Sequence, residues 1–257
     1  MKVISALSLA GGQGKTTLTL LLAKQLSEKG KRVLAIDADP QSNLTFFLGL
    51  EPAEQEPTLL EVLKGTIETE DGIYPTEEEN LFLIPSDRGL ATVGEYLSSS
   101  GTGAFVLKLR LKSVAEFFDY VLVDVQPSRS QISLTAVGAT DLALIPAETT
   151  TKGVNSLLDT LSFLENQKQL MAFNGEVLGV IPFRDRWVGY TQTKDSRDSV
   201  EAMREIAEEN RIFPSIRESE KFKTAIRQNQ TLTQLGYAEL DYPFQKIAKT
   251  LEENYGQ

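Results

Sequence analysis

Apolar residues fall along this chain in short unbroken runs separated by longer amphipathic stretches, the alternation expected of βαβ units that build a parallel sheet. The first run, from Val3 to Leu9, hands over to a helical pattern across 16–29 that Gly30 ends. A second strand is predicted over 32–37, stopped by Pro40. Buried strands follow over 81–84, 120–125, 142–145 and 177–181, each trailed by proline or by helical pattern. Helices are expected over 87–98, 105–118, 153–171, 191–209 and 242–254, with a short one around 58–64. No repeat, low-complexity tract or flexible linker divides the 257 residues, which suit a single domain over 1–257.

The strand ends carry the chemistry. Ser8-Leu9-Ala10-Gly11-Gly12-Gln13-Gly14-Lys15-Thr16-Thr17 sits where the first strand gives way to a helix, so N–H groups freed by the glycines and the helix start converge on one spot. Lys15 adds positive charge for the β- and γ-phosphates of a nucleotide, and the Thr16 hydroxyl can ligate magnesium. The strict pattern G-x-x-x-x-G-K-[ST] asks for glycine at position 9, where this chain has Leu9. An ordinary glycine-rich turn is the competing reading, against which strand, loop, Lys-Thr-Thr and helix arrive together. The apolar start behind Lys2 does not continue as a signal peptide, because glycine and lysine replace the cleavage site. Asp37 and Asp39 end the second strand, at the edge where open α/β sheets bind ligands. Tyr120-Val121-Leu122-Val123-Asp124 repeats the pattern, as in a strand whose aspartate holds magnesium through water. Either aspartate alone could equally cap a turn or helix.

Composition narrows the chemistry. The chain has neither cysteine nor histidine, which excludes disulfides, thiolate or imidazole metal sites and His-dependent triads. Carboxylates, lysine, hydroxyls and a bound cation remain. With no long apolar span or lipidation signal, a reducing cytoplasmic location is expected. The net charge of −10 is concentrated: over 51–80 ten acids face Lys64 alone, which reads as an acidic surface excursion. Over 211–227 five bases face two acids. Such a local excess, rather than the total, governs contact with a polyanion, although a solvated helix face gives the same pattern.

Together these motifs resemble the ParA/MinD family of deviant P-loop ATPases over most of the chain. Gly11-Gly12-Gln13-Gly14-Lys15-Thr16-Thr17 matches the family loop, and Ile36-Asp37-Ala38-Asp39-Pro40-Gln41-Ser42-Asn43 its second motif. Asp124-Val125-Gln126-Pro127-Ser128 and Ile145-Pro146-Ala147-Glu148 look like its next two strand ends. The resemblance implies a P-loop NTPase fold, a mostly parallel twisted sheet flanked by helices on both faces. It also implies Mg²⁺-ATP as cofactor and homodimerisation on ATP binding, with hydrolysis resetting the monomer. In its terms Lys15 and the loop amides hold the phosphates. Thr16 directly, and Asp124 and Asp39 through water, hold Mg²⁺; Asp39 also orients the attacking water, and Asp37 is structural. Pro182, Phe183 and Arg184 would lie by the adenine.

One position departs from the family. Its signature lysine, two residues before the second loop glycine, is Ala10 here. Either catalysis across the dimer is lost or another cation replaces that lysine, and Lys152, opening the helix after the 142–145 strand, is the candidate. This substitution resembles the carboxysome-positioning, McdA-type members. Nucleoid DNA bound without sequence preference through Arg217, Lys221, Lys223 and Arg227, together with an adaptor protein on a cargo, are the implied partners. The C-terminal segment lacks the cationic face of a membrane-binding helix. A metabolic ATP-dependent enzyme of the same superfamily is the rival. A nitrogenase-iron-protein-like carrier is excluded by the missing cysteines.

Overall fold

Six aliphatic runs pair side by side because both of their faces are covered. The computed structural model describes residues 1–208 and 211–256. Its strands are β1 Lys2–Ala6, β2 Val33–Ala38, β3 Tyr74–Pro75, β4 Leu81–Ile84, β5 Tyr120–Val125, β6 Leu142–Glu148 and β7 Glu176–Asp185, with a two-residue edge strand, β10, at Ile216–Arg217. They form one sheet in the order β10-β7-β6-β1-β5-β2-β4-β3, parallel throughout except where β3 meets β4. Residues of one parity, among them Val3, Ile36, Val123 and Ile145, pack in one core; the other parity, with Ile4, Ala35, Leu122 and Leu144, packs in a second. Helices α3 (Leu59–Lys64), α4 (Val93–Ser99), α5 (Val106–Arg110), α6 (Gln131–Ala139), α7 (Thr151–Gln169) and α8 (Lys194–Ala207) supply the first. The second takes α1 (Lys15–Glu28), α2 (Asn43–Phe47), α9 (Lys221–Arg227) and α10 (Ala238–Tyr255). The expected sheet with helices on both faces is what the chain builds.

Several elements differ from expectation. The first strand stops at Ala6, while β6 and β7 run on to Glu148 and Asp185, bringing both ends to the loop. The helix expected over 105–118 contracts to α5, and Leu111 and Val114 beyond its end are still buried in the core. The helix expected from 191 begins at Lys194, because Thr191–Gln192 (β9) pairs with Trp187–Val188 (β8) as a hairpin; its expected end, Glu209, lies outside the described residues. The last helix starts at Ala238 and carries Pro243 inside it.

The acidic stretch over 51–80 is fastened down. A capping box between Thr58 and Glu61 starts α3, which buries Leu59, Val62 and Leu63. Beyond it, Lys24 of α1, only 2% exposed, pairs with Glu78 at 2.9 Å and donates to Asn229 Oδ1 at 2.5 Å. Asn229 in turn donates to Glu77 at 3.0 Å. A buried ammonium is tolerated when its donors are matched in this way. The network ties α1, the acidic stretch and the chain after α9 together.

Candidate functional site

The loop after β1 is shaped by two glycines and pinned by its neighbours. Gly12 and Gly14 take φ of 81° and 93°, backbone that favours glycine. At Gly14, which caps α1, a Cβ would also lie 2.6 Å from the Phe183 ring of β7. Gln13 is buried; its Oε1 accepts from the Glu148 N–H at 2.8 Å and its Nε2 donates to the Gly11 carbonyl at 3.4 Å. Leu9, where the strict pattern wants glycine, donates its N–H to Thr160 of α7 at 3.2 Å. The ends of β6 and β7 and the body of α7 therefore hold the loop from three sides.

Lys15 opens α1, buried, with Nζ 3.3 Å from the Ala10 carbonyl. Burial pushes its pKa down, against the pull of Asp124 and Asp39. The register sets Asp124 of β5 directly beside Asp37 of β2. Burial first, then the adjacent Asp37, push Asp124 up to about 8, against the Thr16 hydroxyl and Lys15, which favour its charge. Asp37 is lifted by burial to about 6, while Thr45 and the Asp39 N–H act the other way. Its oxygens are fully used: Oδ1 accepts from Asp39 N at 3.1 Å, and Oδ2 from both the N–H and the hydroxyl of Thr45 at 2.8 Å. Asp39 is half-buried, and its Oδ1 accepts from Gln41 N at 2.9 Å.

Magnesium fits this arrangement. A buried carboxyl that is held toward its protonated form, beside the Thr16 hydroxyl, is matched by a hard divalent cation that holds it ionised. Among the described residues no group of three or more acidic side chains could cage a metal unaided.

The coupled carboxyls predict an inverted pH response. Between about 4 and about 8 the folded protein keeps a proton on Asp124 that the unfolded chain, near 3.8, has released, so stability falls as pH rises through that window. Without nucleotide, the melting temperature should climb as pH drops from 8 to 5, and Asp124→Asn should flatten the slope. A parent and variant with parallel slopes would show that Asp124 does not titrate there.

The remaining candidates are dispersed more widely. Gly153, where a Cβ would lie 1.9 Å from the Glu148 carbonyl, lets α7 turn tightly off β6 and plants Lys152 at the carboxyl edge of the sheet. Lys152 is exposed and forms no ion pair among the described residues. Phe183 meets the loop; Arg184, at φ 54°, lies 5.6 Å over the Phe183 ring and 3.3 Å from Glu148 Oε1. Pro182 faces a separate cavity of about 190 Å³ with Asp185, Trp187 and Ile212.

The four basic residues do not share one helical side. Arg217 lies on β10, stacked on Trp187 at 4.5 Å, and Lys221 sits over Tyr237 at 4.7 Å. Lys223 and Arg227, one turn apart on α9, flank a groove of about 380 Å³ with Phe46 and Phe47. No helix of the described residues is long and apolar enough to cross a membrane.

Gln13 and Phe183 as clamps on the loop, and Thr45 as the partner of Asp37, escape sequence reasoning, because each acts through a partner outside its own element.

Several known proteins resemble this chain over most of its length. A family model described as an AAA domain (AAA_31) matches residues 1–172. The maintenance of carboxysome distribution protein A of Gloeothece citriformis is 53% identical over 98% of this chain and 97% of its own. Its namesake in Synechococcus elongatus is 49% identical over 98% and 99%. Among solved structures, an ATP complex of an aspartate-to-alanine variant of McdA from Cyanothece superposes with a TM-score of 0.95 at 52% identity, covering 98% of this chain and 96% of that one.

Proposed function

This chain belongs to the ParA/MinD-like family of ATPases, among its McdA members, and on that premise we propose that it uses ATP to position carboxysomes. In this reading Mg²⁺-ATP binding drives dimerisation, the dimer holds nucleoid DNA without sequence preference, and an adaptor protein on the cargo stimulates hydrolysis. The protein would then act in the cytoplasm, on the nucleoid. One observation carries the reading: Lys15 is buried at a glycine loop on the carboxyl edge of the sheet, within the electrostatic reach of Asp124 and Asp39, in a chain alike to McdA over 98% of its length.

Phosphoryl transfer asks mainly for position and charge neutralisation. Lys15 and the loop N–H groups hold the β- and γ-phosphates. Thr16 directly, and Asp124 and Asp39 through water, hold magnesium, which when bound neutralises charge on the transferring phosphoryl oxygens. Asp39 orients the attacking water. Phe183 and Arg184 border the base, with Pro182 behind them. Lys152 of a second copy reaches the phosphates where Ala10 supplies nothing, as an arginine finger acts in trans. ATP hydrolysis with and without bulk DNA, and sizing with and without nucleotide, test the scheme. An ATPase that ignores both DNA and its own concentration would instead be a metabolic enzyme of the superfamily.

For the DNA face, Lys223→Glu or Arg227→Glu should weaken binding equally on any duplex and lower the salt slope by about 1 for each phosphate no longer neutralised. Arg217→Glu and Lys221→Glu should act in the same direction. Gel shifts with two unrelated duplexes measure this; a change confined to one sequence, or no ATP-dependent retardation of either, would remove these residues from a DNA face.

A further inference from the structure

We infer that Thr45 is a positioning residue for ATP hydrolysis: its hydroxyl, between Asp37 and Ser86, braces the backbone that presents Asp39. The inference rests on Asp39 being the water-orienting carboxylate. After β2 the chain turns sharply through Pro40 and Ser42, the latter at φ 56°, before α2 begins at Asn43. Within that turn Asp39 is held by local bonds only, its side chain to Gln41 N and its carbonyl to Ser42 N at 2.9 Å each. What ties the turn to the sheet is Asp37, which takes the Asp39 N–H on one oxygen and both donors of Thr45 on the other. The Thr45 hydroxyl also accepts from the Ser86 N–H at 2.9 Å, just past the end of β4. One hydroxyl thus donates to the end of β2 and accepts from the chain leaving β4.

Burial alone does not explain this side chain. Thr45 is 2% exposed on a five-residue helix whose other inward residue is Leu44, so an aliphatic side chain would serve packing as well. A buried hydroxyl is costly unless satisfied, and this one is bonded in both roles. Asp37 lies in register with Asp124 on the neighbouring strand, so the carboxylate that Thr45 holds stands beside that of the phosphate site. Displacing a catalytic group by about 1 Å can cost on the order of 10²-fold in rate.

Steady-state ATP hydrolysis and calorimetric ATP binding are measured for Thr45→Val, Thr45→Ser and Asp39→Ala beside the parent. Thr45→Val keeps the shape and removes both bonds; its kcat should fall about tenfold or more while KM and affinity for ATP stay within about twofold. Thr45→Ser restores the hydroxyl and should recover most of the turnover. If the valine variant does not fold, Thr45→Ala set against Thr45→Ser isolates the hydroxyl in the same way. Parent-like turnover in Thr45→Val beside a slow Asp39→Ala overturns the brace and leaves Asp39 in its role. Parent-like turnover in Asp39→Ala removes Asp39 itself, and the brace with it. Equal loss of ATP affinity and turnover in Thr45→Val also overturns the inference, since Thr45 would then support the loop as a whole.

Discussion

Lys15→Ala is expected to remove ATP binding while leaving the fold intact. Lys15 is the first residue of α1, and among the described residues its Nζ has one hydrogen-bond partner, the Ala10 carbonyl of its own loop. The fold loses little with it. A phosphate in the cradle, by contrast, loses a buried charge-assisted partner, about 2–5 kcal/mol, or roughly 30- to 4000-fold in Kd. Titration calorimetry with Mg²⁺-ATP measures the loss, and circular dichroism checks the fold. Parent affinity in this variant would end the assignment of the loop.

Lys152→Ala should separate binding from assembly. Two ATP molecules brought face to face repel, and Ala10 offers no side chain to offset that charge. Lys152 stands exposed at the start of α7, on the same edge of the sheet as the loop, and Lys15 stays in place to bind the monomer's nucleotide. Each lysine on phosphate in a partly desolvated interface contributes about 2–4 kcal/mol and a symmetric dimer loses two, so the ATP dimer should weaken by roughly 10³- to 10⁶-fold. DNA binding should be lost with it. Sizing with ATP on an Asp39→Ala background, where turnover is slow, exposes the dimer. A stable ATP dimer without Lys152 would return that residue to an ordinary exposed helix start.

The parts legible in the sequence are those whose pattern is local. Leu81–Ile84 and Tyr120–Val125 fall where expected because both faces of these strands are buried, which leaves an unbroken apolar run between polar ends. The glycine loop, Asp39 and Asp124 announce themselves by residue type and by their place at a strand end. Helix α6 does not: all but two of its nine residues are buried, so no 3.6-residue stripe marks it among serine, threonine and alanine. Helix α2 is five residues long and begins where Asp37 takes up its backbone and side-chain donors, a tertiary cause with no local signal. The clamps follow the same rule. Gln13 finds its partner 135 residues away, and Phe183 meets Gly14 only because β7 runs past its expected end at 181. The four bases are neighbours in sequence, but Arg217 lies on β10 against Trp187 and Lys221 turns onto Tyr237, which leaves only Lys223 and Arg227 on one groove of α9.

The internal grip of Lys24 on Glu78 and Asn229 bears on how the molecule meets a charged surface. That lysine fastens the acidic stretch beside the segment leaving α9, and Glu77 of the stretch lines the same groove as Lys223 and Arg227. A polyanion approaching those two bases would therefore meet a carboxylate alongside them. Added salt would weaken the attraction and the repulsion together, since both fade over a screening length of about 8 Å at physiological ionic strength. Lys24→Met would unfasten Glu78 and Asn229, and with them the place of that carboxylate beside α9, even with every basic residue on α9 intact.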